Sequence, residues 1–195
     1  MTRIGLLADT HIPEATERLW PQVYSAFNDV DLIMHAGDMH ELYVLDCLEN
    51  LAPVYAARGN GDDGGGGRAI QPEDSRLRYS WLVDISGISV GLTHYIPVPE
   101  RPPKLTLDLW LERFFPEKTP DVIVFGDTHR ECIQEVNGIL CVNPGSPTYP
   151  HNYDTQFGTI GFLDIEGTEV TASIWLITED GIEPFDWHAV PPWKL

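Results

Sequence analysis

Seven residues with side chains suited to metal binding are spread along the sequence: Asp9, His11, Asp38, Asn60, His94, Asp127 and His129. Carboxylate and amide oxygens combined with imidazole nitrogens suit Mn²⁺, Fe²⁺, Zn²⁺ or Ni²⁺ better than Ca²⁺ alone. A carboxylate can bridge two cations, and Gly37 allows a tight turn that would aim Asp38 back over its strand end. Two cations about 3.5–4 Å apart could share a hydroxide that attacks a phosphate. We therefore expect phosphate ester hydrolysis in which Asp38 bridges, Asn60 contacts the phosphate and no protein nucleophile is needed.

Each candidate ligand comes shortly after an apolar run that is typical of a buried strand. The runs are Ile4–Ala8, Leu32–His35, Pro53–Ala57, Ile88–Thr93 and Val122–Phe125. In an open α/β sheet, ligands bind in the crevice outside the carboxyl ends of the strands. The seven side chains are therefore expected to converge although they lie far apart in the sequence.

Helix-like segments, Glu17–Phe27 and Glu41–Asn50, separate the first three runs and give a βαβαβ order. That order predicts a parallel sheet with helices on its faces. The next segment, Gly61–Gly67, holds five glycines and two aspartates, and this composition predicts an irregular loop.

Beyond the loop the pattern changes to hairpins with two-residue turns at Ser86-Gly87, Asn137-Gly138 and Glu166-Gly167, and one more helix is predicted over Leu105–Phe115. Two sheets accommodate both halves, because each sheet can pack one face on the other and cover its outer face with helices. We expect an α/β fold, a four-layer α/β/β/α sandwich of two mixed sheets, with residues 1–195 as a single domain.

The composition excludes several classes of partner. The chain has 30 acidic and 12 basic residues, a formal net charge of −18, and its basic residues form no stripe. Binding to long nucleic acid is therefore not expected. No apolar run is long enough to span a bilayer, and the first strand begins too early to leave room for a signal peptide. We expect a cytoplasmic protein without a membrane partner, and bound divalent cations would offset part of its acidity.

The order of the motifs also carries a family resemblance. Asp9-Thr10-His11, Gly37-Asp38, Gly59-Asn60, His94 and Gly126-Asp127-Thr128-His129 resemble the D-x-H, G-D, G-N, H and G-H-x-H motifs of the calcineurin-like metallophosphoesterases. The Asn60-Gly61-Asp62 context and the Asn143-Pro144-Gly145-Ser146 turn resemble the small YfcE-type branch of phosphodiesterases.

This resemblance implies two metal sites that share one ligand. The first site would be formed by Asp9, His11, Asp38 and His129, and the second by Asp38, Asn60, His94 and Asp127. The implied cofactors are two divalent ions, with Mn²⁺ favoured over Ni²⁺, Fe²⁺, Zn²⁺ or Mg²⁺. The implied substrate is a small phosphodiester.

Two positions depart from the family pattern. Asp127 stands where the pattern has the first His of G-H-x-H, which should make the second site harder and more anionic and favour Mn²⁺ or Mg²⁺. Gly61 stands where many larger members have a His that protonates the leaving group, so acidic leaving groups should be preferred. Asp62 is expected to orient a histidine from outside the ligand set.

Alternative interpretations remain open from the sequence. The fold could serve as an inactive scaffold for protein interaction, as in the similar retromer subunit, or the enzyme could be a phosphomonoesterase. His35 is expected to be a hydrogen-bonded core histidine, whereas His40, His151 and His188 are assigned no role. Arg58 could meet a phosphate or form a salt bridge. Exposed Trp187 and Trp193 could support a homodimer.

Overall fold

The computed structural model describes residues 1–152 and 154–186. Trp187, His188 and Trp193, and with them the suggested dimer contact, lie outside the described residues. None of the described helices is long and apolar enough to cross a lipid bilayer.

Twelve strands and three helices follow one another along the described chain. Their order is β1 (Thr2–Leu7), α1 (Pro21–Ala26), β2 (Leu32–His35), α2 (Tyr43–Glu49), β3 (Val54–Ala57), β4 (Leu77–Arg78), β5 (Ser80–Ile85), β6 (Ile88–Thr93), α3 (Leu107–Phe114), β7 (Val122–Val124), β8 (Glu131–Val136), β9 (Ile139–Pro144), β10 (Thr159–Glu166), β11 (Glu169–Ile177) and β12 (Ile182–Pro184). Single 3₁₀ turns occur at Gly65–Gly67 and Pro150–Asn152.

The strands form two mixed sheets, as predicted. The first sheet has the order β12-β11-β10-β1-β2-β3-β4, and the second has the order β5-β6-β7-β9-β8. In the first sheet β1, β2 and β3 run parallel, with Leu7 paired to His35 and His35 to Ala56. In the second sheet β6, β7 and β9 run parallel, with Leu92 paired to Val124. Each sheet therefore brings three neighbouring carboxyl ends to one edge.

Three separate apolar clusters define four layers. Val23 and Phe27 of the α1 region and Leu45 of α2 bury against the outer face of the first sheet. A second cluster lies between the sheets, where Leu6 of β1 and Met34 of β2 meet residues of the second sheet, among them Leu92, Val124 and Val142. The third cluster buries Leu107 of α3 against Ile123 and Cys141 of the second sheet. The arrangement confirms the expected α/β/β/α sandwich.

Element boundaries differ from the predictions in two places with clear physical reasons. The first helix begins at Pro21 instead of Glu17, because Trp20 is extended and Pro21 occupies the first helical turn, where its missing N–H costs nothing. The turn expected at Glu166-Gly167 lies one residue later, because Glu166 still pairs with Glu169 and leaves Gly167 and Thr168 as the loop. The turns at Ser86-Gly87 and Asn137-Gly138 are confirmed, with positive φ at both residues of each.

Candidate metal centre

The loops that follow the parallel strands are joined by backbone hydrogen bonds. After β1, the Asp9 and His11 N–H groups donate to the carbonyls of Gly37 (2.9 Å) and Asp38 (3.0 Å) after β2. In the second sheet the Gly126 N–H donates to the His94 carbonyl at 2.8 Å. Backbone groups beyond the strand ends have no partner within the sheet, and these bonds satisfy them. The bonds also fix the candidate ligands relative to one another.

The two sheets approach closely at these loops. A Cβ built at Gly126 would lie 2.9 Å from both the Cβ of Ala8 and Oδ2 of Asp9. A Cβ built at Gly37 would lie 2.7 Å from Nδ1 of His94. Glycine at both positions therefore allows side chains from the first and second sheets to share one site.

Most of the candidate ligands adopt a backbone conformation that residues other than glycine rarely adopt. Five of them have positive φ: Asp9 (53°), His11 (46°), Asp38 (54°), Asp127 (69°) and His129 (55°). Asp and His tolerate this left-handed region better than bulky residues do, but it still costs free energy, and such strain concentrates at functional sites.

Asp38 faces histidines on two sides. Its Oδ2 lies 3.5 Å from Nε2 of His11, and its Oδ1 lies 3.6 Å from Nε2 of His94. His129 is on the His11 side, where its Nε2 is 3.7 Å from Oδ1 of Asp9 and its ring meets that of His11 at a centroid distance of 4.6 Å. The contacts match the grouping that the motifs implied for a first site.

On the other side of Asp38, three oxygens surround Nε2 of His94. This nitrogen lies 3.3 Å from Oδ1 of Asn60 and 3.6 Å from Oδ1 of both Asp38 and Asp127. The structure thus places all seven predicted residues in one region.

Asp127 and Asn60 are the most exposed of the seven. The Asp127 side chain is 37% exposed, and Asn60 is an exposed residue. In the described part of the chain, the compact groups of donor atoms within 4.8 Å of one another are Asp9-His11-His129, Asp9-Asp38-His94 and His11-Glu14-His40, and none includes Asp127.

The chemistry of the donor set fits cations. His94 Nδ1 donates to the Ala36 carbonyl at 2.7 Å, because a carbonyl can only accept, so Nε2 of the neutral ring carries a lone pair. The three oxygens facing that lone pair are also acceptors. Buried Asp9 Oδ2 and His11 Nε2 have no hydrogen-bond partner among the described residues. Acceptors that converge without donors are what divalent cations satisfy.

The pKa shifts of Asp9 and His94 also indicate a site that favours positive charge. Burial raises the pKa of Asp9 well above its ordinary value, and although His94 opposes this shift, the carboxylates of Asp38 and Asp127 add to it. Burial lowers the pKa of His94, but the carboxylates led by Asp9 raise it by more, so the net shift is upward. Positive charge is therefore favoured at this point, and bound divalent cations would supply it.

The other two candidate histidines are held neutral. Burial lowers the pKa of His11 to about 2, and burial also lowers the pKa of His129. The His129 Nδ1–H donates to the Tyr149 carbonyl at 2.6 Å, which leaves Nε2 as an acceptor. Neutral imidazoles with a free lone pair are in the form that binds metal ions.

Asp62 supports the site through the backbone. Its Oδ2 accepts hydrogen bonds from the N–H groups of Asp38 and Gly59, both at 2.9 Å, and its Oδ1 accepts one from the N–H of His40 at 2.8 Å. Asp62, which was expected to orient a histidine, thus holds the backbone of His40, and none of these three bonds goes to a histidine ring. Because it joins the turns after β2 and β3, Asp62 fixes Asp38 beside Asn60.

A second support comes from the turn after β9, which sequence reasoning noted only as a family signature. Asn143 donates through Nδ2 to the Gly126 carbonyl at 2.9 Å. Ser146 and Thr148 donate through their hydroxyls, both at 2.7 Å, to the carbonyls of Asp9 and Thr10. The signal that could have revealed these roles is a run of small polar residues directly after a buried strand.

His40 was assigned no role, but it lies next to the cluster. Its ring is buried against that of His11 with centroids 4.3 Å apart, and neither of its ring nitrogens has a hydrogen-bond partner among the described residues. A Cβ at Gly61 would lie 2.4 Å from Nε2 of His40. The imidazole of His40 therefore occupies the space beside Asn60 that a side chain at position 61 would need.

Three further predictions for single residues can be compared with the structure. Arg58 neither forms a described salt bridge nor reaches the donor cluster, because its guanidinium donates to the carbonyls of Asp62, Gln71 and Pro72 around the glycine-rich loop. His35 is confirmed as a hydrogen-bonded core histidine, with Nδ1 accepting from the Gly37 N–H and Nε2 paired with the Thr10 hydroxyl. His151 lies near Glu131, with 3.4 Å between Nε2 and Oε2.

One protein family and several known proteins resemble this chain over most of its length. Residues 2–168 match the calcineurin-like phosphoesterase superfamily domain. A protein of Methanothermobacter thermautotrophicus, named as a probable metallophosphoesterase, is 36% identical over 171 residues, which cover 88% of this chain and 90% of that protein. A phosphodiesterase of Methanocaldococcus jannaschii is 30% identical over 177 residues, with 86% and 95% covered.

Among solved structures, Vacuolar Protein Sorting 29 of Cryptosporidium parvum resembles this chain with a TM-score of 0.71 and 20% identity, covering 93% of this chain and 94% of that one. At that identity the likeness supports the fold alone. The sequence match extends over most of the chain, and it includes every segment that carries a candidate ligand. The chain therefore belongs to the calcineurin-like phosphoesterase superfamily.

Proposed function

We propose that this protein is a phosphodiesterase that hydrolyses a small phosphodiester with the help of two divalent cations, with Mn²⁺ favoured. The observation that carries the proposal is the position of Asp38, whose two oxygens face His11 on one side and His94 on the other at 3.5 and 3.6 Å. One carboxylate would thus serve both donor sets. Asp9, His11 and His129 would complete one set, and Asn60, His94 and Asp127 the other.

Three hydroxyl groups next to the cluster are engaged in structural hydrogen bonds. Ser146 and Thr148 donate to backbone carbonyls, and the Thr10 hydroxyl pairs with Nε2 of His35. Burial raises the pKa of the Cys132 thiol to about 11, so this thiol is not a thiolate at neutral pH. These contacts favour water as the nucleophile over a covalent intermediate on the protein.

The residues of the cluster would position the substrate phosphate for in-line displacement. A bond from the water oxygen to phosphorus would form as the bond from phosphorus to the leaving oxygen breaks. When bound, two divalent cations would acidify that water and offset negative charge on the phosphate oxygens. Asn60 is exposed beside His94 and would contact a phosphate oxygen. Gly61 has no side chain to protonate the leaving group, which favours substrates with acidic leaving groups.

The test is metal-dependent turnover combined with metal counting. The purified protein is stripped with chelator and assayed on bis(p-nitrophenyl) phosphate, with and without added Mn²⁺. We expect no turnover after stripping, restoration by Mn²⁺ and two bound equivalents by elemental analysis. Asp38→Asn should lose both turnover and at least one equivalent. The matched control is Asp63→Asn, because Asp63 accepts a hydrogen bond from Tyr79 on the surface and lies outside the cluster.

Different results would support the other two functions. Unchanged turnover in chelator contradicts metal-assisted hydrolysis, and no bound metal after Mn²⁺ incubation favours a scaffold for protein interaction. Faster turnover of p-nitrophenyl phosphate than of the diester favours a phosphomonoesterase. The replacement of the motif His by Asp127 is the feature that favours a scaffold, but the other six ligand positions keep the residue types of the family pattern.

The proposal treats residues 1–195 as one domain. Cytoplasmic location and homodimer formation stay predictions, and the proposed chemistry depends on neither.

A further inference from the structure

A cavity of about 460 Å³ opens beside the candidate metal centre. Its wall includes Thr128, which lies between Asp127 and His129, and Tyr95, which follows His94. The cavity wall therefore includes residues that directly adjoin three candidate ligands in the sequence. Its volume falls in the range of roughly 300–1,000 Å³ that is usual for small-molecule sites.

The walls combine aromatic and cationic groups. The half-buried Tyr95 ring packs edge-to-face on Trp110, with centroids 5.4 Å apart, and this contact fixes its orientation. Phe125 and Val98 add apolar surface, and Arg101 and Arg130 bring two guanidinium groups. The exposed Arg101 forms no ion pair with any described residue, and its loop is held by paired backbone hydrogen bonds with Leu105 at 2.7 and 3.1 Å.

Two unlike cavities flank the candidate centre. On the His11 side, a cavity of about 400 Å³ is lined by Glu14, Tyr149 and Asp154 and carries acidic groups. The cavity at Tyr95 has one acidic residue, Glu131, whose carboxylate is buried and contacts Thr159 and His151. The chain as a whole has a net charge of −18, whereas two arginines, Arg101 and Arg130, line this cavity. The charge pattern therefore assigns an anionic ligand to the Tyr95 side.

We propose that this cavity binds the retained organic group of the phosphodiester, and that Tyr95 and Arg101 select a group with nucleotide chemistry: a planar aromatic base together with a second anionic group. The proposal rests on the phosphodiesterase function proposed above. Tyr95 stacks the base, because an aromatic face accepts any flat ring. Arg101 pairs with the second anion, because its planar guanidinium matches phosphate geometry.

The test uses three p-nitrophenyl phosphodiesters that release the same leaving group. Their retained groups are methyl, 5′-linked thymidine, and 5′-linked thymidine with a 3′-phosphate. Because the leaving group is the same, differences in kcat/KM between the three diesters measure the contribution of the retained group. For the Mn²⁺-loaded protein we expect kcat/KM to rise in that order, by about tenfold for the base and about tenfold again for the 3′-phosphate.

Single substitutions assign each gain to a residue. Tyr95→Ala should remove the gain from the base, whereas Tyr95→Phe should keep it because the ring remains. Arg101→Gln should remove only the gain from the 3′-phosphate. The methyl diester is the internal reference for every variant, so each gain is read as the ratio of kcat/KM for a thymidine diester to kcat/KM for the methyl diester. Tyr79→Ala and Arg113→Gln are the matched controls, because both residues are exposed and lie outside the cavity wall.

The outcomes separate this proposal from the one on which it rests. Equal kcat/KM for all three diesters in the parent protein would overturn the nucleotide site while leaving the phosphodiesterase intact. Unchanged ratios in Tyr95→Ala and Arg101→Gln would also overturn it. If no diester is hydrolysed, the phosphodiesterase proposal fails. Calorimetry with thymidine 3′,5′-bisphosphate then tests whether the cavity binds a nucleotide. Binding that Arg101→Gln weakens about tenfold supports the site, and absence of binding refutes it.

Discussion

Gly61 and His40 fit against each other so closely that a Cβ at residue 61 would lie 2.4 Å from Nε2 of His40. No real Cβ approaches a ring atom to this distance, so either the ring or the backbone after Asn60 would have to shift. The position of one buried histidine thus explains why a glycine follows Asn60 in this chain.

Gly61→Ala should therefore lower the free energy of unfolding by about 1–3 kcal/mol, the usual cost of overpacking. It should also weaken metal binding, because the shift would move Asn60. The double variant Gly61→Ala/His40→Ala should recover most of the stability, since the ring that causes the clash is gone. Urea denaturation of the two single variants and the double variant measures this coupling. Additive effects of the two substitutions would show that the residues do not compete for space.

Asp62→Asn should destabilise the site and the fold together. The amide can accept hydrogen bonds at only one of the two positions where Asp62 now accepts three from backbone N–H groups, so at least one buried N–H loses its partner. The expected loss is about 2–3 kcal/mol in the free energy of unfolding. The affinity for Mn²⁺ should fall as well, because Asp38 is no longer fixed. Asp63→Asn, one residue later and exposed, is the control, and equal stability of the two variants would contradict the role of Asp62.

His35 should make stability depend on pH. Burial lowers its pKa to about 3, whereas the unfolded chain has a histidine pKa of about 6.5. The folded state therefore binds the proton less readily. Neutral His35 makes its full contribution to the free energy of unfolding above a pH of about 6.5. This contribution is lost as the pH falls toward about 3, by up to about 1.4 kcal/mol per pH unit.

His35→Gln removes that titration while keeping a donor and an acceptor. Denaturation of chelator-treated protein between pH 7.5 and 5.5 should show a shallower loss of stability for the variant than for the parent. Between pH 7.5 and 8.5 the difference between the two proteins should stay constant. Parallel curves over the whole range would show that His35 does not contribute.

Asp127→His restores the residue of the family pattern, and histidine tolerates the positive φ of 69° at this position. If Asp127 binds the second cation, the ratio of Zn²⁺ to Mn²⁺ affinity should rise by about tenfold, which corresponds to about 1.4 kcal/mol. The stability of the metal-free protein should change by no more than about 0.5 kcal/mol, because the side chain is partly exposed. Titration with each metal measures the shift, and an unchanged ratio would remove Asp127 from the ligand set.

The sequence predicted those features that depend on strand order. Apolar runs in the sequence indicated the positions of β1, β2, β3, β6 and β7. Parallel strands bring their carboxyl ends to one edge of the sheet, independently of loop conformation. The region of the candidate site followed from that rule, with Asp9, Asp38 and His94 at three of those ends.

Features that depend on exact loop conformation were not predictable in the same way. His40 reaches the cluster because Gly37, Asp38 and His40 all have positive φ, and no propensity scale predicts three left-handed residues within four positions. Asp62 accepts from Gly59 in its own turn and from Asp38 and His40 in the turn after β2, and the sequence does not identify these partners. The first helix was predicted to begin four residues too early because the apolar spacing continued through Leu19 and Trp20, whereas Pro21 determines where the helix begins.

The contact of Gly126 with Ala8 and Asp9 has a mechanical consequence. At this point the two sheets approach closely, and candidate metal ligands from both sheets meet. Cations bound by ligands from both sheets would link the two sheets. Any movement of one sheet over the other would then require the metal to dissociate first. Metal binding should therefore slow amide exchange in the apolar layer between the sheets, far from any ligand.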